Sequence, residues 1–547
     1  MRHRWLAGAL VVLAAAATYG STIDNYFAQD DFGVVWLLSR KPADYFPRWF
    51  VTPWMDDIWG FMPDEVRPFV AVSYQLAAAF GPSSPIPNHH LNIAVHAGNG
   101  LLVIGLARHA AGCGPAAAML AGLVFVLLPN QAESVAWITG RVDSMPAVFY
   151  LAAFLAYVRW RAGAGRALYL WSLAWYFVAL FSKQNTVTLP VALVLYDALV
   201  ARRPVGASSA WLRPYVPYAA LTAGYLILRY ALFGEAARES LLTSERLGFF
   251  VEYAGRHLTR IVFGAERIAD GAAWAVACAA VAFVAACFTP GWRGPSSDPR
   301  LAPRAVFFGG VWTILGLAPT LVATYISPRH AYLASVGWAI TIGIAFEAMW
   351  RRRATGASPR TPALTRRRML AAAAAAALLT GYSARLNAVV ADWNGRAALS
   401  SRAVADLERE VLAAPEGTLI IVGVPAPSWE YALPFAAQPP FTSTDLTRRA
   451  TIISEVSLHC CPADQWDAHT RARLREWLVR PDAPPVIAMY WDPQTGRRAR
   501  LSDRDDPSLR MLMHLLLSSG DPAALASNIH RLLADFVAFH GRAVTGD

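Results

Sequence analysis

Pro115-Ala-Ala-Ala-Met-Leu-Ala-Gly-Leu-Val-Phe-Val-Leu-Leu128 contains no charge, and it runs straight into Pro129-Asn-Gln-Ala-Glu-Ser-Val-Ala-Trp-Ile-Thr-Gly-Arg-Val-Asp143, where Glu133, Arg141 and Asp143 crowd together. Another apolar run, Met145 to Val158, follows at once. A lipid interior offers backbone groups no partner outside their own helix, so this alternation is that of a chain crossing a bilayer, turning and crossing back.

Working outward, the pattern recurs about eleven times. The runs are Trp5 to Ser21, Leu91 to Ala107, Pro115 to Leu128, Met145 to Val158, Leu168 to Phe181, Val187 to Val200, Trp211 to Leu232, Ala272 to Phe288, Ala305 to Ile326, Ala331 to Trp350 and Met369 to Ala384. The whole chain agrees: of its 547 residues 55% are hydrophobic, 16% are charged and 12% are aromatic. That composition excludes disorder and a single soluble domain. A net charge of +11 raises nucleic acid as a partner, but the arginines cluster between apolar runs, so membrane topology accounts for them and no nucleic acid is expected.

Every second loop is basic. Starting from Arg2 and Arg4, these loops carry Arg108; Arg159, Arg161 and Arg166; Arg202, Arg203 and Arg213; Arg293, Arg300 and Arg304; and Arg351 to Arg353 with Arg366 to Arg368. This predicts a cytoplasmic N-terminus and, with an odd number of spans, an external tail, periplasmic in the inner membrane of a bacterium. The first run also fits a secretory signal, although the alternating count works best with it retained.

Two outside segments are long. Thr22 to Asn88, rich in aromatics and prolines, predicts interfacial helices. Within Gly234 to Asp270, Phe249, Phe250, Tyr253, His257, Ile261 and Val262 recur at helical spacing. The chain thus divides into a membrane domain, 1–385, with its first outer loop at 22–88, and a soluble α/β domain, 386–547. In the latter, Thr418 to Val424 and Val486 to Trp491 predict strands, and Asp464 to Val479 and Ala523 to Phe539 predict helices. Adjacent Cys460 and Cys461 are expected to be unreactive or separately paired thiols rather than a strained disulfide.

Polar groups at membrane-span ends are costly, so those present point to chemistry. Asp30-Asp31, soon after the first run, is a candidate general base or a helix cap. Glu133, Arg141 and Asp143 either serve a ligand or pair among themselves. Lys183 and Arg329, with His330, are cations at outer span ends, suited to a phosphate or to snorkelling towards headgroups. His89, His90 and His96 are expected to be hydrogen-bonded structural residues, so no metal site is assigned. No cofactor is required, and a divalent cation is left open.

Four ordered motifs resemble a known family. Arg67-Pro-Phe-Val-Ala-Val-Ser-Tyr-Gln75 with Gly81-Pro and His90-Leu-Asn-Ile-Ala-Val-His96, then Pro129 to Asp143, then Ser182-Lys183-x-x-x-Val-Thr-Leu-Pro190 ending near Asp197, then Arg329-x-x-Tyr332-Leu-x-Ser-Val-Gly337, are similar to TMTC-type O-mannosyltransferases, membrane glycosyltransferases of the GT-C class. The likeness covers about Asp24 to Trp350. It implies a GT-C-like polytopic helical fold, a polyprenyl-phosphate-linked sugar donor, and a protein, lipid or glycan acceptor, in contact with membrane lipids.

The same resemblance makes Asp30 or Asp31 the catalytic carboxylate, with a slight preference for Asp31, which precedes Phe32. It makes Arg329, Lys183 and Arg141 holders of the donor phosphate, supported by Glu133, Asp143, His330 and His90. The chain departs from the family at Leu128 and Gln131, where relatives often carry histidines, at His330 and at Ala334, and its tail lacks tetratricopeptide repeats. The competing readings are a multispan transporter or lipid flippase and an inert scaffold. The chain shows no repeated halves.

Overall fold

The computed structural model describes residues 2–55, 65–81, 83–201, 209–265, 301–323, 325–351, 362–423, 433–453, 463–492, 497–517 and 542–543, with isolated positions 276, 278 and 280. The membrane part contains α1 (Arg2–Tyr19), α2 (Asp31–Arg40), α3 (Pro68–Ala79), α4 (Ile86–His109), α5 (Pro115–Leu127), α6 (Ala132–Ala136), α7 (Arg141–Arg161), α8 (Ala167–Leu180), α9 (Leu189–Leu199), α10 (Val216–Phe233), α11 (Ser244–Phe263), α12 (Leu301–Leu317), α13 (Ser335–Arg351) and α14 (Pro362–Ala413).

Among the described residues, five helical stretches are long and apolar enough to cross a membrane: Trp5–Thr22, Ile86–His109, Arg141–Arg161, Val216–Phe233 and Arg366–Ala413. A sixth candidate is Pro115–Leu127 with Pro129–Ala136, bent by 53° where Pro129 interrupts the backbone ladder. Other apolar runs form shorter helices. The one at Val187 to Val200 yields only α9, behind a 3-10 turn at Gln184–Thr188, and α12 gives way to a 3-10 turn at Ala318–Val322. Apart from the isolated positions 276, 278 and 280, the run Ala272 to Phe288 lies outside the described residues, as do the helix Ala523 to Phe539 and Cys460 with Cys461.

Close packing between α12 and α13 depends on glycine. A Cβ on Gly337 would come within 2.2 Å of the Gly309 carbonyl, so only glycine permits this approach. Gly140 is equally constrained, since a Cβ there would lie 2.0 Å from the Glu133 carbonyl. That glycine holds the start of α7 against α6 and so fixes Glu133 beside Asp143.

The tail forms β1 (Leu419–Gly423), β2 (Ala450–Ile453), α15 (Ala463–Val479), β3 (Val486–Asp492), β4 (Arg497–Leu501), α16 (Pro507–Leu517) and β5 (Arg542–Ala543). Sheet order is β2-β1-β3-β4-β5, parallel across β2, β1 and β3 and antiparallel thereafter. Alternation sends Leu419 and Ile421 to one face, where they join Leu474, Trp477, Leu512 and Leu516 of α15 and α16. Ile420, Ile487 and Met489 face the other way and share a core with Phe27, Phe32, Val35 and Leu38.

The first outer segment is therefore sandwiched. Phe441 packs edge-on against Phe27 and Phe32 at 5.1 and 4.9 Å, and Trp36 lies 4.8 Å from Phe435. The division expected at 385/386 falls inside α14, a single 52-residue helix that leaves the bundle and enters this second core.

Candidate active site

Gln29 has a left-handed backbone (φ 54°), unusual for a side chain of its size, and it turns the chain sharply into Asp30, the cap of α2. The two acids then meet different surroundings. Asp31 is buried, and its carboxylate accepts from the Ala28 amide at 3.0 Å and from the Thr139 amide and hydroxyl at 2.8 and 2.6 Å. Those bonds pin α2 to the turn between α6 and α7. The Asp30 carboxylate has no hydrogen-bond partner among the described residues and lies within electrostatic reach of Arg329 and Glu133.

Burial pushes the Asp30 carboxyl up to about 6; Arg329 opposes the rise and Glu133 adds to it. Burial also pushes Asp31 up to about 7, against the hydrogen bonds from Thr139 and Ala28 and with the charge of Asp30 adding to it. Both acids are thus held near neutrality, the range suited to proton transfer.

Facing them is a charge cluster drawn from three segments. Arg329, on the 3-10 turn Pro328–Ala331, donates through Nη1 to Glu133 at 3.2 Å and approaches Asp143 with Nε at 3.2 Å, an ion pair without hydrogen-bond alignment. Its other arm bonds the Tyr325 hydroxyl, and its guanidinium lies 4.9 Å from the Trp137 ring centroid. Glu133 also accepts from Ser327 at 2.8 Å. Lys183, capping the turn Gln184–Thr188, pairs with the second oxygen of Asp143.

Desolvation opposes the charge of Arg329, but Tyr325, Glu133, Asp143 and Asp30 outweigh it and hold the group above its ordinary range. Lys183 is shifted downward, chiefly by burial, with Asp143 resisting. A second pair borders the cluster: Arg67 to Glu65 at 2.7 Å, with the Trp54 indole donating to Glu65 at 3.0 Å and Arg67 reaching Gln184 at 3.4 Å.

Two expected members stand apart. Arg141 is wholly buried and directs its donors to uncharged acceptors: Asn92 Oδ1 at 2.6 Å, the Ser73 carbonyl and hydroxyl at 3.1 and 3.0 Å, and the Asn88 carbonyl and Oδ1 at 3.2 and 2.7 Å. It neither pairs with Asp143 nor has a free fork for a phosphate, because α7 rotates it towards α3 and α4. Its removal leaves those acceptors unpaired at about 1–3 kcal/mol each, so Arg141→Met should lower the thermal unfolding midpoint sharply in detergent. His90 is exposed and bonds the Ile86 carbonyl one turn back at 3.0 Å rather than any member of the charge cluster.

His96 is buried against the Tyr332 hydroxyl at 2.7 Å and the Val126 carbonyl at 3.1 Å, and His89 binds the Asn25 carbonyl at 3.1 Å. No group of three or more His, Cys, Asp or Glu among the described residues is arranged to hold a metal ion. His330 neighbours the cluster and bonds the Tyr253 hydroxyl.

Reading the sequence by residue type passed over Thr139, Ser327, Tyr325 and Trp137. Their signal is adjacency: Ser327 and Tyr325 flank Arg329, and Trp137 and Thr139 lie between Glu133 and Arg141.

No family profile matches the chain. Protein O-mannosyl-transferase tmtc2 of Xenopus laevis is 27% identical over 197 residues, 33% of this chain and 23% of that protein. Human TMTC2 is 27% identical over 204 residues, 34% of this chain and 23% of its own length, so the similarity spans about a quarter of these curated relatives. ArnT from Cupriavidus metallidurans bound to undecaprenyl phosphate superposes with a TM-score of 0.51 at 15% identity, covering 89% of this chain and 93% of that one. Its apo form gives 0.52 over the same shares. The chain is homologous over part of its length to TMTC O-mannosyltransferases and shares the GT-C fold of ArnT.

Proposed function

We propose that the chain is an integral-membrane glycosyltransferase that moves a sugar from a polyprenyl-phosphate carrier to an acceptor hydroxyl at the outer membrane face. The observation that carries this reading is the pairing of unlike acids. Asp31 is tied down by Thr139 and Ala28, while Asp30 has no hydrogen-bond partner among the described residues and lies within electrostatic reach of Arg329, which shares Asp143 with Lys183.

Asp30 takes the proton of the acceptor hydroxyl as its oxygen attacks the anomeric carbon, and the bond from that carbon to the carrier phosphate breaks, inverting the configuration. The phosphate leaves as an anion of low basicity and needs no proton. Lys183, with one described partner for its three donors, and Arg329 stabilise the developing charge. Glu133 and Asp143 keep both cations in place when no phosphate lies between them. Similarity to TMTC proteins supports the reading, as does a fold shared with a protein whose structure holds undecaprenyl phosphate. The acceptor is a protein, lipid or glycan; the TMTC names favour protein and mannose.

The direct test incubates purified protein in proteoliposomes with undecaprenyl-phosphate-linked sugars and follows release of the bare carrier lipid. Translocation of lipid without sugar transfer would favour a flippase instead.

The remaining architecture of this proposal is eleven spans with a cytoplasmic N-terminus, a membrane domain at 1–385, and an α/β domain at 386–547 on the periplasmic side of a bacterial inner membrane. The alternation of basic loops supports it. Reporters fused after Arg203 or Arg353 should read cytoplasmic, and one fused after Asp547 external. A cytoplasmic reading at the C-terminus would place the tail sheet on the wrong side for its contact with α2.

A further inference from the structure

Helix α11 presents Tyr253, His257 and Ile261, one turn apart, to the protein interior, and exposes Leu247, Val251 and Leu258 on its opposite face. The exposed side is that of a helix lying at a lipid surface. The buried side faces the turn that carries Arg329, and it contains an anomaly. His257 is wholly buried, yet neither ring nitrogen has a hydrogen-bond partner among the described residues.

Buried polar groups are paired in the great majority of proteins, so two orphan nitrogens on one ring require a reason. The surroundings supply one. The Tyr253 ring lies 4.3 Å from that of His257, and the His330 ring lies 6.4 Å from it and 5.2 Å from Tyr325. Tyr253 bonds His330 Nδ1, holding the second imidazole in place. His330 directly follows Arg329 on one turn, so a sugar whose phosphate rests on Arg329 has its ring beside these two histidines.

We infer that His257 and His330 form a subsite for a hydroxyl of the donor sugar, an inference that rests on the donor reading given above. The chemistry selects a hydroxyl rather than a second phosphate. Burial holds both imidazoles below their usual range, His257 at about 3, and neighbouring Arg329 and Arg260 reinforce this, so both rings are neutral. A neutral imidazole offers one donor and one acceptor, matching a hydroxyl that can do both, whereas a phosphate offers only acceptors. A site built on such paired groups discriminates strongly against a ligand that lacks the matching hydroxyl.

The test measures binding of four lipids to the full chain in nanodiscs: undecaprenyl phosphate alone, and the same lipid carrying mannose, glucose or galactose. The parent protein should prefer at least one sugar-bearing lipid over the bare carrier. His257→Ala should reduce that preference about tenfold, the loss of one hydrogen bond, while leaving the bare carrier unchanged, and His257→Gln, which keeps a donor and an acceptor, should retain part of it.

The subsite is overturned if the parent prefers no sugar-bearing lipid or if both variants keep the preference. It is overturned equally if they weaken all four lipids alike, or if His257→Leu raises thermal stability with the preference intact, as a packing defect or trapped water would. If the parent binds none of the four lipids, the donor reading itself fails, which separates that failure from a failure of the histidines alone.

Discussion

Asp30→Asn should reduce sugar transfer by about a hundredfold to ten-thousandfold, the range for loss of a general base, without changing the amount of folded protein. The variant removes a carboxylate that has no hydrogen-bond partner among the described residues, so packing is little disturbed. Asp31→Asn should behave differently. Its carboxylate accepts three bonds from two segments, and an amide cannot accept from both the Ala28 and Thr139 amides without presenting an N–H to one of them. Transfer falls there too, but together with the unfolding temperature, which thermal melts will separate from a purely chemical defect.

The pH profile gives a second handle. The base must be ionised, and its carboxyl is raised to about 6 by burial, so kcat/KM of the parent should climb with pH and level off above about 6. Glu133→Gln removes a charge that helps raise it and should shift that limb to lower pH. Equal transfer by the parent and Asp30→Asn would show that the proton goes elsewhere, with Asp31 next.

Arg329→Ala should nearly abolish both binding of undecaprenyl phosphate and transfer. Arg329 is the shared partner of Glu133 and Asp143, so its loss also leaves carboxylates facing the site and repelling an incoming phosphate. Arg329→Lys restores the charge but not the fork, and a point charge cannot serve Glu133, Asp143 and two phosphate oxygens together. Its expected deficit is about 1.5–3 kcal/mol in carrier binding, the worth of one charged hydrogen bond. Binding is read by isothermal titration or lipid competition in detergent. If the alanine variant binds the carrier as tightly as the parent, the phosphate rests on Lys183 alone.

Cations beside apolar runs announce themselves in a sequence because lipid makes them costly, and this is why Lys183 and Arg329 were legible. The same signal pointed to Arg141, but hydropathy cannot say where a side chain turns. Its acceptors on Ser73, Asn88 and Asn92 lie 49 to 68 positions away and are uncharged. The two adjacent aspartates are indistinguishable by type. They separate only when Thr139, 108 residues distant, arrives against one of them.

In α11, the helical spacing of Phe249, Phe250, Tyr253, His257, Ile261 and Val262 is legible in the sequence, while the burial of Tyr253, His257 and Ile261 and the orphan nitrogens emerge only from packing. The apolar run ends near Ala384 as a change of composition, yet the helix continues to Ala413 because helix termination and hydropathy are separate properties.

That helix, α14, is about 78 Å long at roughly 1.5 Å per residue, more than twice a bilayer's hydrocarbon thickness. Ala371 sits in the bundle core and Val411 in the core shared by the sheet and α2, while Trp393 stacks on Trp137 at 5.8 Å and Asn394 bonds Asn25 at 2.9 Å. A rod anchored at three points behaves like a keyed shaft. One residue inserted between Asn394 and Val411 turns everything beyond it by about 100°, which would rotate Phe435 and Phe441 away from the loop that carries Asp30. Seven residues nearly restore the angle but displace the sheet by about 10 Å, so no single insertion there recovers both orientation and contact. The length of this segment is therefore under geometric constraint even where its side chains face water, and the tail is phased to the loop that carries Asp30 in the way one gear is phased to another.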